Sequence, residues 1–250
     1  MNSILVTGCN RGLGLGIIKT LLKRQNSPKY IFATCRNIQA SDELRKLSEE
    51  HTGKLHLVEI DLKDFDKYGD VVKQVENVVK EDGLNVLWNS AGISPRSSFL
   101  GIRALKVNEL MDVFSVNCVA PLMLTKAFLP LLKKAAKANS SAPLGVSKAA
   151  IINMSSILGS IESNVDGSLY HYRVTKSGLN AATKSMSLDL KNDKIIAVSI
   201  HPGWVKTDMG GEKAPMSVEE SCEQMIETIY KLDASKNGGF IQYNGESLPF

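Results

Sequence analysis

Tyr172 and Lys176 stand four residues apart in a stretch that reads as helix through Lys191, so both side chains leave the same helix face. A free phenol titrates near pH ~10 and is a poor acid–base group at neutral pH. An ammonium within a few ångströms stabilises the phenolate and lowers that pKa, which would let Tyr172 exchange a proton with a substrate oxygen. Ser155 closes the strand-like run Ala149–Ser155, and strand C-termini form the ligand crevice of open α/β sheets. Its hydroxyl would stabilise negative charge developing on the same oxygen. By itself a Tyr/Lys pair at this spacing is usually helix surface, so its meaning depends on what lies upstream.

Upstream, the first apolar run leads into Thr7-Gly8-Cys9-Asn10-Arg11-Gly12-Leu13-Gly14, and an apolar helix follows. Glycines in such a turn permit a tight reversal and close backbone approach to a diphosphate, which the helix N-terminus then faces with unpaired N–H groups. Dinucleotide-binding units that prefer NAD place an acid about twenty residues on, at the end of the second strand, to hold the ribose hydroxyls. This chain has Ala33-Thr34-Cys35-Arg36-Asn37 there, with no acid from Tyr30 to Ser41. Arg36 offers a planar, permanently charged fork suited to a 2′-phosphate, and Arg11 is expected to reach the same group. The cofactor expected is therefore NADP(H), with hydride moved to or from a carbonyl carbon while Tyr172 handles the proton.

With these motifs in order, the chain resembles the single-domain short-chain dehydrogenases/reductases over nearly its whole length. Thr7–Gly14 fits that family's TGxxxGxG turn, Asp61-Leu62 its adenine-contacting pair, and Asn89-Ser90-Ala91-Gly92 its NNAG motif with one substitution. Asn117, Ser155, Tyr172 and Lys176 match its catalytic tetrad, and Pro202-Gly203-Trp204-Val205-Lys206-Thr207 the segment that positions the nicotinamide. The resemblance implies that Lys176 also holds the nicotinamide ribose. It further implies that Asn117 anchors a water linking Lys176 to solvent, and that Val205 and Thr207 bind the carboxamide. Within the family, the TGCNRGLG turn and NSAG are similar to the sniffer-type carbonyl reductases. Two features depart from the usual pattern: the Ile157–Leu169 segment is slightly enlarged, and Tyr170 lies two residues before Tyr172. Only Tyr172 has the required spacing to Lys176, and His171 reads as structural.

The elements that must hold these residues are legible as alternating runs. Ser3–Thr7, Tyr30–Cys35, Leu55–Ile60, Leu84–Trp88, Ala149–Ser155, Ile195–His201 and Gly239–Gln242 are short and rich in Ile, Val and Leu, as strands buried on both faces should be. Between them lie helical periods, as in Asp64–Asp82 and Val218–Leu232. Strict alternation predicts a doubly wound α/β Rossmann domain, a mostly parallel seven-stranded sheet with helices on both faces, spanning 1–250 as one binding and catalytic unit. Lys137–Lys148 reads as an exposed loop, and Lys133, Lys134 and Lys137 as a solvated cluster near a helix C-terminus.

Composition narrows the class. A net charge of +4 is too small to indicate a nucleic-acid or membrane partner, and no apolar run approaches the ~20 residues of a bilayer span. The four cysteines form no CxxC pair and the four histidines no metal-binding spacing, which suits a metal-free protein of a reducing, cytoplasmic compartment. Family members are often dimers or tetramers, so a homodimer or homotetramer is expected. Ile93–Arg103, Ile157–Leu169 and Trp204–Met216 should surround the substrate. They bring Phe99, Leu100, Ile157, Leu158, Trp204, Met209 and Met216, with Arg96, Arg103 and Lys206 as the few cations. That points to a small apolar carbonyl compound. The alternatives are an alcohol or hydroxysteroid dehydrogenase, a non-catalytic NADP(H) sensor, which should lack the Tyr/Lys pair, and a sugar-nucleotide epimerase, whose glycine spacing differs.

Overall fold

The computed structural model describes residues 1–95 and 100–250. Arg96 and Phe99, expected beside the substrate, lie outside the described residues. The strands are β1 (Ser3–Val6), β2 (Tyr30–Cys35), β3 (Leu55–Glu59), β4 (Val86–Asn89), β5 (Ala150–Met154), β6 (Ile196–His201) and β7 (Phe240–Gln242). The helices are α1 (Gly12–Lys23), α2 (Asp42–Glu50), α3 (Tyr68–Val79), α4 (Val107–Phe114), α5 (Ala120–Ala138), α6 (Tyr170–Asp189) and α7 (Val218–Tyr230). All seven strands pair in parallel in the order β3-β2-β1-β4-β5-β6-β7.

Both sheet faces are buried, which is why β1, β4 and β5 carry almost uninterrupted apolar side chains. One face packs Ile4, Val6, Trp88 and Ile152 against α1 and α7 through Ile17, Leu21, Cys222 and Ile226. The other packs Leu5, Leu87 and Ile151 against α3, α5 and α6 through Val71, Val75, Leu124, Phe128 and Met186. After β3 the chain crosses to the far side of β1 to form β4, so a crevice opens between the C-terminal ends of β1 and β4.

Two local expectations are corrected. α4 and α5 are joined by one π-helical turn, Ser115–Val119, into a 32-residue helical stretch that by length and composition would suffice to cross a bilayer. Here its apolar face packs on the sheet instead, through Leu124, Phe128, Leu131 and Leu132. Lys148 is not exposed: it is 8% accessible, and its Nζ donates to Ser140 O at 2.7 Å. Lys133 and Lys137 are exposed near the end of α5 as expected, and Lys133 and Lys134 form surface ion pairs with Asp193 at 2.9 Å and Glu81 at 3.2 Å.

Candidate active site

The crevice between β1 and β4 is a cleft of about 480 Å³ that runs from the glycine turn to the first turn of α6. Its floor is built by close backbone approach. A Cβ on Gly8, at φ +73°, would stand 2.9 Å from Ala91 Cα, and one on Gly14 would stand 2.2 Å from Gly8 O. Side chains at either position would fill the cradle, so the turn can lie flat against a ligand only with glycine. Thr7 fixes this turn to the next one, because its Oγ1 accepts from Ser90 N and Ala91 N, both at 3.0 Å. Gly8, Asn10, Arg11, Gly12, Leu13, Gly14, Asp61, Leu62, Ala91, Gly92, Pro202 and Thr207 all line the cleft.

At the end formed by β2 and β3, Arg36 and Lys63 face the same space. They follow neighbouring strand ends, joined by the hydrogen bond from Ile60 N to Cys35 O at 2.8 Å. Lys63 pairs with Asp112 of α4 at 2.7 Å, whereas among the described residues no carboxylate pairs with Arg36. Arg11 lines the same cleft. Its guanidinium pairs with Asp208 at 2.7 Å, both groups exposed, and so ties the glycine turn to the segment after β6. Lys63, unremarked in the sequence, was findable only from its place directly after Asp61-Leu62.

At the other end, Tyr172 and Lys176 line the cleft from α6, and Tyr170 is not among the lining residues. Lys176 is 2% exposed; its Nζ donates to Met154 O at 2.6 Å and lies 5.5 Å from the Tyr172 ring centroid. Burial lowers its pKa to about 8. Burial also pushes the Tyr172 phenol up to about 12, with a hydrogen bond from the Ser156 side chain acting in the opposite direction. This reverses the expected depression of the tyrosine pKa: desolvation outweighs the ammonium, which is turned toward the sheet.

The same contact separates the two adjacent serines. Ser155 lines the cleft but is 1% exposed, whereas the side chain that acts on the Tyr172 phenol is that of Ser156, whose Oγ accepts from Leu158 N at 3.2 Å. The pair of serines at a strand end was the available signal, and the alternation of faces along β5 does not choose between them once the strand has ended at Met154. Asn117, fully buried in the π turn, holds the chain after Gly92: its Oδ1 accepts from Ile93 N at 2.8 Å and its Nδ2 donates to Ile93 O at 2.9 Å. Asn117 Oδ1 and Lys176 Nζ both approach the bare Cα of Gly92, 3.4 and 3.5 Å from where a Cβ would stand.

Other expected residues lie beneath the site. Asn89 is buried and its Nδ2 donates to Asn153 Oδ1 at 2.8 Å. Val205 is buried in a bridge with Met216, and Gly203 packs against Tyr243 and Met216. His171 is buried on the far side, its Nε2 3.9 Å from Glu109 of α4. The apolar wall differs from expectation. Met209, Ile93, Val116 and Met154 line the cleft, while Leu100 and Trp204 stand 69% and 57% exposed and the Trp204 indole donates to Gly210 O at 2.8 Å.

Comparison with known proteins places this geometry. The carbonyl reductase Sniffer of D. melanogaster is 56% identical over the full length of both chains, with a TM-score of 0.98. The NADPH-bound carbonyl reductase from chicken fatty liver is 38% identical, covering 100% of this chain and 99% of that one, with a TM-score of 0.93. The C-signal protein of Myxococcus xanthus is 34% identical over 167 residues, which is 67% of this chain and 93% of that protein. The family model described as short chain dehydrogenase matches residues 2–217, so the chain belongs to the short-chain dehydrogenase family of oxidoreductases.

Proposed function

We propose that this chain is an NADPH-dependent carbonyl reductase acting on small apolar aldehydes, ketones and quinones, with residues 1–250 as one binding and catalytic unit. The observation that carries the reading is the convergence of Tyr172 and Lys176 on a cleft whose other end is a glycine cradle flanked by Arg36 and Lys63. The residues present fit the dinucleotide. Gly8, Asn10, Gly12, Leu13 and Gly14 would receive its diphosphate, and Asp61 and Leu62 its adenine. Ala91 and Gly92 border the same trough above Asn89. Arg36, with Lys63 beside it, would take the 2′-phosphate. Lys176 would hold the nicotinamide ribose, and Pro202, Gly203, Val205 and Thr207 would shape the nicotinamide end. Once bound, the dinucleotide supplies the hydride.

The chain's own residues supply the proton and the charge. With its pKa raised to about 12, the Tyr172 phenol is fully protonated at neutral pH and is still acidic enough to protonate an alkoxide. Ser156, whose side chain acts on the phenol, would donate to the carbonyl oxygen as charge develops there, a role first expected of Ser155. Lys176, at about 8, remains largely charged at neutral pH and favours the phenolate left behind. Asn117 holds the Gly92–Ile93 backbone against which Lys176 packs. Ile93, Val116 and Met209 give the remaining wall an apolar character, which rewards burial of an uncharged substrate. The four buried, unpaired cysteines suit a reducing, cytoplasmic setting.

The test is a panel of carbonyl compounds and phosphorylated sugars assayed with NADPH and NADH, and the corresponding alcohols with the oxidised cofactors. Turnover of apolar carbonyls with NADPH supports the reading. Strong turnover of a phosphosugar alone, or oxidation without reduction, overturns it.

A further inference from the structure

Three successive residues before α6 adopt left-handed backbone: Gly167 at φ +67°, Ser168 at φ +55° and Leu169 at φ +52°. For glycine this is ordinary, but for serine and leucine it is costly, and a run of such residues persists only where neighbouring structure holds it. Tyr172 is the third residue of α6, so no complete helical turn precedes it. Its N–H donates to Leu169 O at 2.9 Å, and Arg173 N donates to the same oxygen at 2.8 Å. The direction of the first helical turn, and with it the aim of the phenol, therefore hangs on the strained turn.

Two groups hold that turn. Asn164 Oδ1 accepts from Gly167 N at 3.0 Å, within the loop itself, and Arg173 Nε donates to Gly167 O at 3.0 Å, reaching back from α6. The start of the same loop is fastened to the same helix. Ser177 Oγ donates to Gly159 O at 2.9 Å and Asn180 Nδ2 to that oxygen at 3.3 Å. The loop is thus pinned at both of its ends to α6 residues that follow Tyr172, and Arg173 supplies the pin at the strained end.

We propose that Arg173 is a positioning residue for Tyr172: by clamping Gly167 O it holds Ser168 and Leu169 in left-handed conformation and fixes the first turn of α6. The proposal rests on the reductase reading for its kinetic consequence, but its structural consequence can be read without turnover. Arg173→Met keeps an unbranched apolar stem and removes the donor. We expect kcat to fall ~10-fold while the NADPH Kd changes by less than ~2-fold, because the proton donor is displaced and the cradle is untouched. Arg173→Lys, which keeps a donor able to reach Gly167 O, should recover most of the loss. The decisive variant is Arg173→Met combined with Ser168→Gly. A glycine removes the cost of left-handed backbone at that position, so the turn holds without the clamp and kcat returns to within ~3-fold of the parent.

In parallel, the titration of Tyr172 is followed by NMR with ring-labelled tyrosine, its signal assigned by its loss in Tyr172→Phe. In Arg173→Met the phenol should become more exposed and its pKa should move down toward the ordinary tyrosine value, returning upward in the double variant. Unchanged kcat and unchanged Tyr172 titration in Arg173→Met overturn the proposal, as does a loss that Ser168→Gly leaves unrelieved. If the unmutated protein reduces no carbonyl compound, the reductase reading fails, and the titration alone still decides whether Arg173 positions Tyr172.

Discussion

Lys176 donates from Nζ to the main-chain oxygen of Met154 at 2.6 Å, so the buried amine of α6 is tied to the last residue of β5. The bond aligns helix with sheet and sets the ammonium beside the tyrosine ring, 5.5 Å from its centroid. Proton donor and cation are therefore neighbours held by separate partners, and each can be tested separately.

Tyr172→Phe should lower carbonyl reduction by about 100- to 10,000-fold, the usual worth of a general acid, with NADPH affinity largely kept. Tyr170→Phe should be close to neutral, since Tyr170 does not face the cleft. Steady-state kinetics and fluorescence titration of NADPH check both; an inactive Tyr170→Phe would reassign the donor.

Ser156→Ala should reduce kcat by about 100-fold or more through loss of a donor to the developing alkoxide, and Ser155→Ala by far less. The reverse order would return the role to Ser155.

Arg36→Asp should erase or invert the preference for NADPH over NADH. A pair of charge-assisted hydrogen bonds to the 2′-phosphate contributes ~1.5–3 kcal/mol, roughly one to two decades in Kd. Lys63→Met should weaken NADPH but not NADH by a smaller factor, because Lys63 is shared with Asp112. Isothermal titration with both cofactors measures the ratios, and equal Kd values in the unmutated protein would end this account.

Folding stability should respond to alkaline pH in two opposed windows. Lys176 is lowered from 10.5 to about 8 in the folded chain, so between those values the unfolded chain binds more protons and stability rises with pH. Tyr172 is raised from 10.0 to about 12, so over that range the folded chain keeps its proton longer and stability falls with pH. Denaturant titrations of Lys176→Met and Tyr172→Phe against the parent isolate the two slopes. A parent and a Lys176→Met variant with the same slope from pH 8 to 10.5 would contradict the burial of a depressed amine.

Gly14→Ala should cripple dinucleotide binding and lower the thermal midpoint. The added Cβ meets Gly8 O at 2.2 Å, main chain that cannot swing aside, so the turn itself must move. Overpacking of this kind costs ~1–3 kcal/mol, a drop of several degrees, roughly 2–12 °C, for a chain of this length. A fully active Gly14→Ala would show that the cradle is looser than described.

Much of this architecture was legible in the sequence because it is encoded at short range. Strand and helix periods, the glycine turn that opens α1, the missing acid after β2, and the four-residue step from Tyr172 to Lys176 are all relations between near neighbours. Backbone geometry alone converts them into a parallel sheet, a cradle and a shared helix face. What the spacing could not carry was set by groups far apart in the chain. Arg11 pairs with Asp208, and Lys63 joins Arg36 across the ends of β2 and β3. Ser156 rather than Ser155 meets Tyr172, and burial raises the phenol's pKa where proximity to Lys176 had promised to lower it. Each of these depends on which surfaces are sealed from water and where long side chains find partners. Desolvation and pairing are properties of the packed tertiary structure and have no signature in local spacing.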